Sequence, residues 1–199
     1  MSSDTGRLEA FSDGVFSIAA TLLVLELKPP APNLPFWQGI AAQWPGFVSF
    51  LLSFLFIGIM WMNHHRLFTH MRHSDDVLML TNLLLLLGVV WIPYPTLLMA
   101  QAAVKGDFRD AAMLYNGSYF VLALLFALQL YTATARDLVD REYAAVRHIE
   151  ISYFVGPIIY AVCFAVTWWS VPLSLTINGA MALYFLLSPS IRVGLARKP

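Results

Sequence analysis

Charge is scarce in this chain of 199 residues. Asp, Glu, Lys and Arg make up 12% of it, where a soluble domain carries about a quarter. The scarcity runs along the whole length and leaves no stretch able to form a sizeable soluble domain. Cysteine is scarcer still. The single Cys163 sits inside an apolar run, which excludes an intramolecular disulfide and a cysteine-based metal site and marks the thiol as a small core residue. Five histidines are too few for the separated histidine boxes of a membrane di-iron oxygenase. His70 and His73 have metal-ligand spacing, yet together with His65 they read better as interfacial residues of a short basic loop. Walker A, nucleophile-elbow and Gly-rich nucleotide sequences are missing. Neither an enzyme nor a bound cofactor or metal is therefore expected. The formal net charge of zero says little by itself, and no nucleic acid partner is expected.

Apolar sequence is what the chain has in abundance. Hydrophobic residues make up 59% of it and recur in six runs, roughly Leu8–Leu27, Trp44–Arg66, Val77–Met99, Ala111–Ala135, Ile149–Trp169 and Val171–Leu187. A helix crosses a bilayer core with about 20 residues, so the expected fold is all-α: one polytopic domain over residues 1–199, with six transmembrane helices and membrane lipid around them. Asp4, and the lack of a small-residue cleavage site after the first run, favour a retained span over a signal peptide. Four prolines between Lys28 and Pro35 stop the first helix. Pro93 and Pro95 are placed to kink or end the third span, and Pro157 to bend the fifth. The link from Ser170 to Pro172 is so tight that the last two spans form a helical hairpin. From Arg136 to Glu150 acids and bases alternate, which reads as a helical extension of the fourth span with a solvated face.

An even number of spans leaves both termini on one side. That side holds Arg7, Arg66, Arg72, Arg136, Arg141, Arg147, Arg192, Arg197 and Lys198, and the other holds Lys28, Lys105 and Arg109, nine of the 12 basic residues against three. The excess of positive charge places both termini in the cytoplasm. Trp37, Trp44, Trp91, Trp168 and Trp169 then gather at the outer interface as an aromatic belt.

Residues 7 to 27, RLEAFSDGVFSIAATLLVLEL, put Arg7, Glu9, Ser12 and Asp13 at the mouth of an apolar helix. The apolar part from Gly14 to Leu25 is too short to cross alone, so the polar first turns enter the membrane too. An ionised Asp near the bilayer centre costs roughly 2.5–3.5 kcal/mol on insertion scales. Asp13 therefore needs shielding by protein or water. At about 100° per residue, Phe11, Gly14, Ile18, Thr21, Leu22 and Leu25 share one stripe, with Glu9, Asp13 and Ser17 broadly opposite. Taken alone, such a stripe reads as ordinary helix packing. Between symmetric copies it is a face that meets a central channel axis. His64 lies one turn after Trp61 on an otherwise apolar helix, placed to hydrogen-bond to a neighbouring span. Asn82, Asn116, Gln129 and Asn178 are the amides at depth in spans two to six. Ionisable groups near the midplane are too few to support a carrier with a dedicated charged site. The potassium filter sequence TVGYG is absent.

Arg7, Phe11, Ser12 and Asp13 form the RxxxFSD signature, and the sequence resembles the transmembrane protein 175 family of potassium channels from there through GVFSIAATLLVLEL. Trp61-x-x-His64 and, less specifically, Asn82 are similar to the family as well. The single six-span repeat resembles its bacterial branch. That resemblance implies a homotetramer in the bacterial inner membrane, permeant to potassium, with the first helices lining the pore. It implies Ile18 as the tightest apolar ring and gate, then Thr21 for selectivity and Leu25 as a second apolar ring. It also implies a polar network of Arg7, Ser12, Asp13, His64 and Asn82 holding helix one in place. Without a carbonyl filter, preference for potassium over sodium should be moderate. The alternative is a proton- or cation-coupled transporter with Asp13 and His64 as its relay.

Overall fold

The structure is a computed structural model that describes residues 5–30, 32–105, 108–139 and 144–187. Asp4, Arg141, Arg192, Arg197 and Lys198 lie outside the described residues, as do the side chains of Lys105, Arg147, His148 and Glu150. The described chain is helical: α1 (Thr5–Leu22), a 3-10 turn η1 (Leu23–Glu26), α2 (Phe36–Ala42), α3 (Trp44–Phe68), α4 (Asp76–Trp91), α5 (Pro93–Lys105), α6 (Arg109–Ala135), α7 (Ala144–Thr167) and α8 (Val171–Leu187). Among the described residues, Thr5–Glu26, Trp44–Phe68, Asp76–Ala102 and Arg109–Ala135 are long and apolar enough to cross a membrane. Val155–Thr167 and Val171–Phe185 are shorter apolar helices. They make the expected hairpin, with Trp168, Trp169 and Ser170 bonding back onto the end of α7 at the turn.

Side-chain contacts show that successive long helices run antiparallel. Glu9 and Asp13 near the start of α1 meet His65 and Trp61 near the end of α3. Asp75, before α4, meets Arg136, after α6, and Trp91 at the end of α4 donates to Ser118 in α6. One end of the bundle therefore carries these ion pairs, while the other presents Trp37, Trp44, Trp91, Trp168 and Trp169, all exposed. Aromatic rings at a helix-bundle end suit the headgroup level of a bilayer.

The third span is interrupted where its prolines are expected to interrupt it, and two other elements differ from the sequence expectation. The third span is broken at Ile92, because Pro93 and Pro95 have no N–H to extend the ladder from α4. The chain resumes as α5 when Thr96 donates both its backbone N–H and its hydroxyl to the Ile92 carbonyl. A short α2 follows the proline-rich link, with Pro35 at its N-cap. The fourth span does not extend past Ala135. Asp137 takes a left-handed φ of 58°, Leu138 N–H bonds to Ala133 O at 2.9 Å and Asp137 N–H to Thr134 O at 3.3 Å, the two bonds of a Schellman stop. The redirected chain buries Leu138 and Val139 and pairs with the α3–α4 loop through Arg72 N–H on Leu138 O at 2.9 Å and a Met71–Val139 bridge. Pro157, by contrast, lies within an uninterrupted α7.

Asp75 fastens this latch. Its carboxylate accepts the Leu78 N–H of α4 at 2.8 Å and the Arg136 guanidinium. The Leu78 N–H first, and Arg136 with it, holds the Asp75 carboxyl below its usual range. The stabilisation is therefore present above the ordinary carboxylate pKa of about 3.9 and is lost as pH falls through the lower folded-state value. Asp75→Ala should lower thermal stability at neutral pH, by about 1 kcal/mol for the cap alone. The gap to the parent should close as pH drops below about 4. Melting curves of the two proteins across pH check this, and a gap that persists at low pH contradicts it.

Candidate functional site

Helix α1 divides into two faces. Ser12, Phe16, Ala19 and, in η1, Leu23 are buried against the bundle at spacings of four, three and four residues, the repeat of a single helical stripe. The other face is bare: Ile18 is 60% exposed and Leu25 68%, with Phe11, Gly14, Thr21 and Leu22 also exposed. Leu25 stays on this face although the helix tightens to 3-10 geometry at Leu23. In that geometry residues three apart eclipse, so Leu25 stands over Leu22. The stripe read from the sequence is thus one continuous surface that no described helix of the protomer covers.

A buried knot of polar side chains fixes the inner face. Ser12 donates its hydroxyl to Leu8 O at 2.8 Å and accepts from Asn82 Nδ2 at 2.9 Å. Asn82 Oδ1 accepts from His64 Nε2 at 2.9 Å and from Gln129 Nε2 at 2.7 Å. Since a carbonyl oxygen only accepts, His64 carries its proton on Nε2. Four helices (α1, α3, α4 and α6) thereby meet on one amide. All four side chains are fully buried, and Phe68 stacks on the His64 ring at 4.2 Å while Phe16 packs beside it. His64 Nδ1 and Gln129 Oε1 have no partner among the described residues.

The structure brings Ser12, His64 and Asn82 together as expected, and adds Gln129. Asp13 is shielded differently: it accepts from the Trp61 indole N–H at 2.8 Å rather than bonding to His64, Asn82 or Arg7. One turn away Glu9 pairs with His65 at 2.6 Å, so residues 9 and 13 of α1 meet 65 and 61 of α3 as an antiparallel ladder, with the Trp61 and His65 rings stacked. Arg7 is exposed and outside the network. Gln129 was visible in the sequence only as an amide at depth. The Trp61–His65 spacing matches that of Glu9–Asp13, and this was the unused signal for the ladder.

Thr21 is the polar group on the bare face between Ile18 and Leu25. Its hydroxyl donates to Ile18 O at 2.9 Å, which leaves oxygen lone pairs to accept a donor or a cation. No carboxylate lies on the stripe itself.

The family profile described as "Endosomal/lysosomal potassium channel TMEM175" matches residues 7–93. Over 194 residues the chain is 41% identical to a protein of Chamaesiphon minutus named a potassium channel, covering 93% of this chain and 95% of that one. A Streptomyces collinus protein, also named a potassium channel, is 38% identical over 189 residues, 92% of each chain. Among solved structures, the lysosomal potassium-selective channel TMEM175 homolog from Chamaesiphon minutus superposes with a TM-score of 0.83 at 39% identity, covering 92% of this chain and 96% of that one.

Asn82→Leu removes the shared amide and leaves Ser12, His64 and Gln129 short of partners, at about 1–3 kcal/mol for each buried group stranded. Trp61→Phe removes one bond at a half-exposed carboxylate and should cost much less. Melting temperatures of the two variants in the same detergent test the ranking, and equal losses would show that the knot is not the main anchor of α1.

Proposed function

The chain belongs to the TMEM175 family, and we propose that four copies of it form a potassium-permeable channel whose pore is lined by the bare face of α1. The family is one of ion channels, not enzymes. The exposed Ile18–Thr21–Leu25 stripe carries the proposal: among the described residues nothing in the protomer covers it, and one helix cannot surround an axis. Copies related by rotation satisfy it. In this reading the chain has six membrane spans, the hairpin α7–α8 supplying the last two. It lies in a bacterial inner membrane with both termini in the cytoplasm. The described cations support that orientation, with Arg66, Arg72 and Arg136 at the ion-pair end and Arg109 at the tryptophan end.

Ile18 is the gate of this pore and Leu25 a second apolar ring. A constriction ringed by four β-branched side chains excludes water, and an ion that cannot keep its hydration does not pass. Thr21 is the selective position. Four hydroxyl oxygens replace part of a hydration shell, at a smaller cost for potassium than for the smaller, more tightly hydrated sodium. With no multi-site carbonyl filter in the sequence, the preference is moderate. The knot and the Glu9–His65, Asp13–Trp61 ladder hold each α1 at the radius where these rings close.

A relay carrier through Asp13 and His64 is the weaker reading. Such a relay needs the two groups in one hydrogen-bonded chain, whereas Asp13 is bonded to Trp61 and His64 to Asn82.

Purified protein in planar bilayers should give reversal potentials that favour potassium in opposed potassium and sodium gradients. Ile18→Asn has similar volume but wets the constriction, and should raise basal conductance. Thr21→Val keeps the shape without the hydroxyls, and should bring the potassium-to-sodium permeability ratio close to one. If Ile18→Asn conducts no better than the parent, Ile18 is a packing residue. An unchanged ratio in Thr21→Val moves selectivity elsewhere.

A further inference from the structure

A groove of about 750 Å³ runs along the outside of the bundle between α4 and α6. Leu87, Gly88 and Trp91 form one wall, Gly117 and Val121 the other, and Phe164 of α7 closes it beneath. The volume falls in the range of sites that enclose a small organic ligand. Two glycines let the helices approach closely. A Cβ on Gly88 would stand 2.8 Å from Leu122 Cδ1, and one on Gly117 3.3 Å from Phe164 Cε2. Leu87 and Val121 remain exposed on the rims.

The groove has a distinct polar end. Trp91 donates its indole N–H to Ser118 at 2.9 Å and packs on Tyr94. Arg109 begins α6 one turn before Met113, which also lines the groove. Its guanidinium lies over the Trp168 ring, 5.9 Å from the centroid, and Trp168 is one turn beyond Phe164. Among the described residues no carboxylate is paired with Arg109. Asp110 follows it but points about 100° away around the helix. An apolar trough flanked by interfacial tryptophans therefore leads to an exposed arginine held in place by an aromatic ring.

We propose that this groove binds an anionic phospholipid, with an acyl chain along Leu87, Gly88 and Val121 and the phosphate on Arg109. The proposal commits to a lipid because the surface faces a membrane. It commits to an anionic one because Arg109 recognises phosphate oxygens by paired N–H donors and a zwitterionic headgroup offsets that charge. It does not depend on pore or gate, only on these helices spanning a bilayer.

Native mass spectrometry of the assembled protein tests it, after exchange into mixed micelles containing equal phosphatidylglycerol and phosphatidylcholine. The parent should retain about one lipid per chain, with phosphatidylglycerol in several-fold excess. Arg109→Gln should bring the two lipids to near parity, and Arg109→Lys should keep most of the excess. Val121→Trp fills the trough and should lower retention of both. Melting curves confirm that each variant is folded, and added phosphatidylglycerol should raise the melting temperature of the parent more than that of Arg109→Gln. Parity in the parent, or an unchanged excess in Arg109→Gln, overturns the proposal. So does efficient disulfide cross-linking between chains through Val121→Cys in a Cys163→Ser background, since a second copy would then cover the groove.

Discussion

One amide holds α1 in place. Asn82 receives donors from α3 and α6 and donates to α1, so its side chain ties four helices at a depth where water is scarce. In hydrocarbon an unpaired polar group costs several kcal/mol, and that cost gives the knot its selectivity. Ser12 joins His64, Asn82 and Gln129 in one rotational setting of α1. Turning α1 by one residue would break the Ser12–Asn82 bond and present Phe11 or Asp13 to the amide in its place. The setting that makes the Ser12–Asn82 bond is also the one that turns Ile18, Thr21 and Leu25 away from the bundle. Burial of the polar residues and exposure of the apolar ones are two results of a single constraint.

A second polar cluster does for the far side of the bundle what the first does for α1. Asn116 donates to Thr167 and Ser174 and accepts from Asn178, joining α6, α7 and α8. Between them Ser53 contacts Thr96 and Tyr115, tying α3 to α5 and α6. Hydrophobic burial cannot distinguish one helix arrangement from another where lipid is as apolar as leucine. Hydrogen bonds between helices supply the register, while aromatic packing such as Phe56 on Tyr119 fills the space between them.

Much of this was legible in the sequence, for reasons that can be named. Apolar runs bounded by prolines mark helices because a bilayer tolerates few alternatives. Each of the four amides at depth proved to be a cross-helix bond, Asn82 with Gln129 and Asn116 with Asn178. The stripe through Phe11, Ile18 and Leu25 came from periodicity alone. What escaped was pairing across helices. Periodicity says which face Asp13 occupies but not that Trp61 lies opposite, because that depends on how far α1 and α3 slide past each other. The helix stop after Ala135 escaped as well. Asp137 in a left-handed conformation stands where glycine is usual, and an alternation of acids and bases looks the same in a helix as in a latch. The surplus basic residues of the charge count were legible only as a sum, since several lie beyond the described residues.

The central claim is that the bare face of α1 meets copies of itself around an axis. Disulfide mapping tests it most directly. Single cysteines are placed along α1 in a Cys163→Ser background and oxidised in native membranes. Ile18→Cys and Leu25→Cys should give intermolecular disulfides, with Ala19→Cys and Phe16→Cys remaining monomeric on reducing-agent-free gels. A pattern in which Ile18→Cys and Leu25→Cys stay unlinked while the chains cross-link through other helices would contradict it.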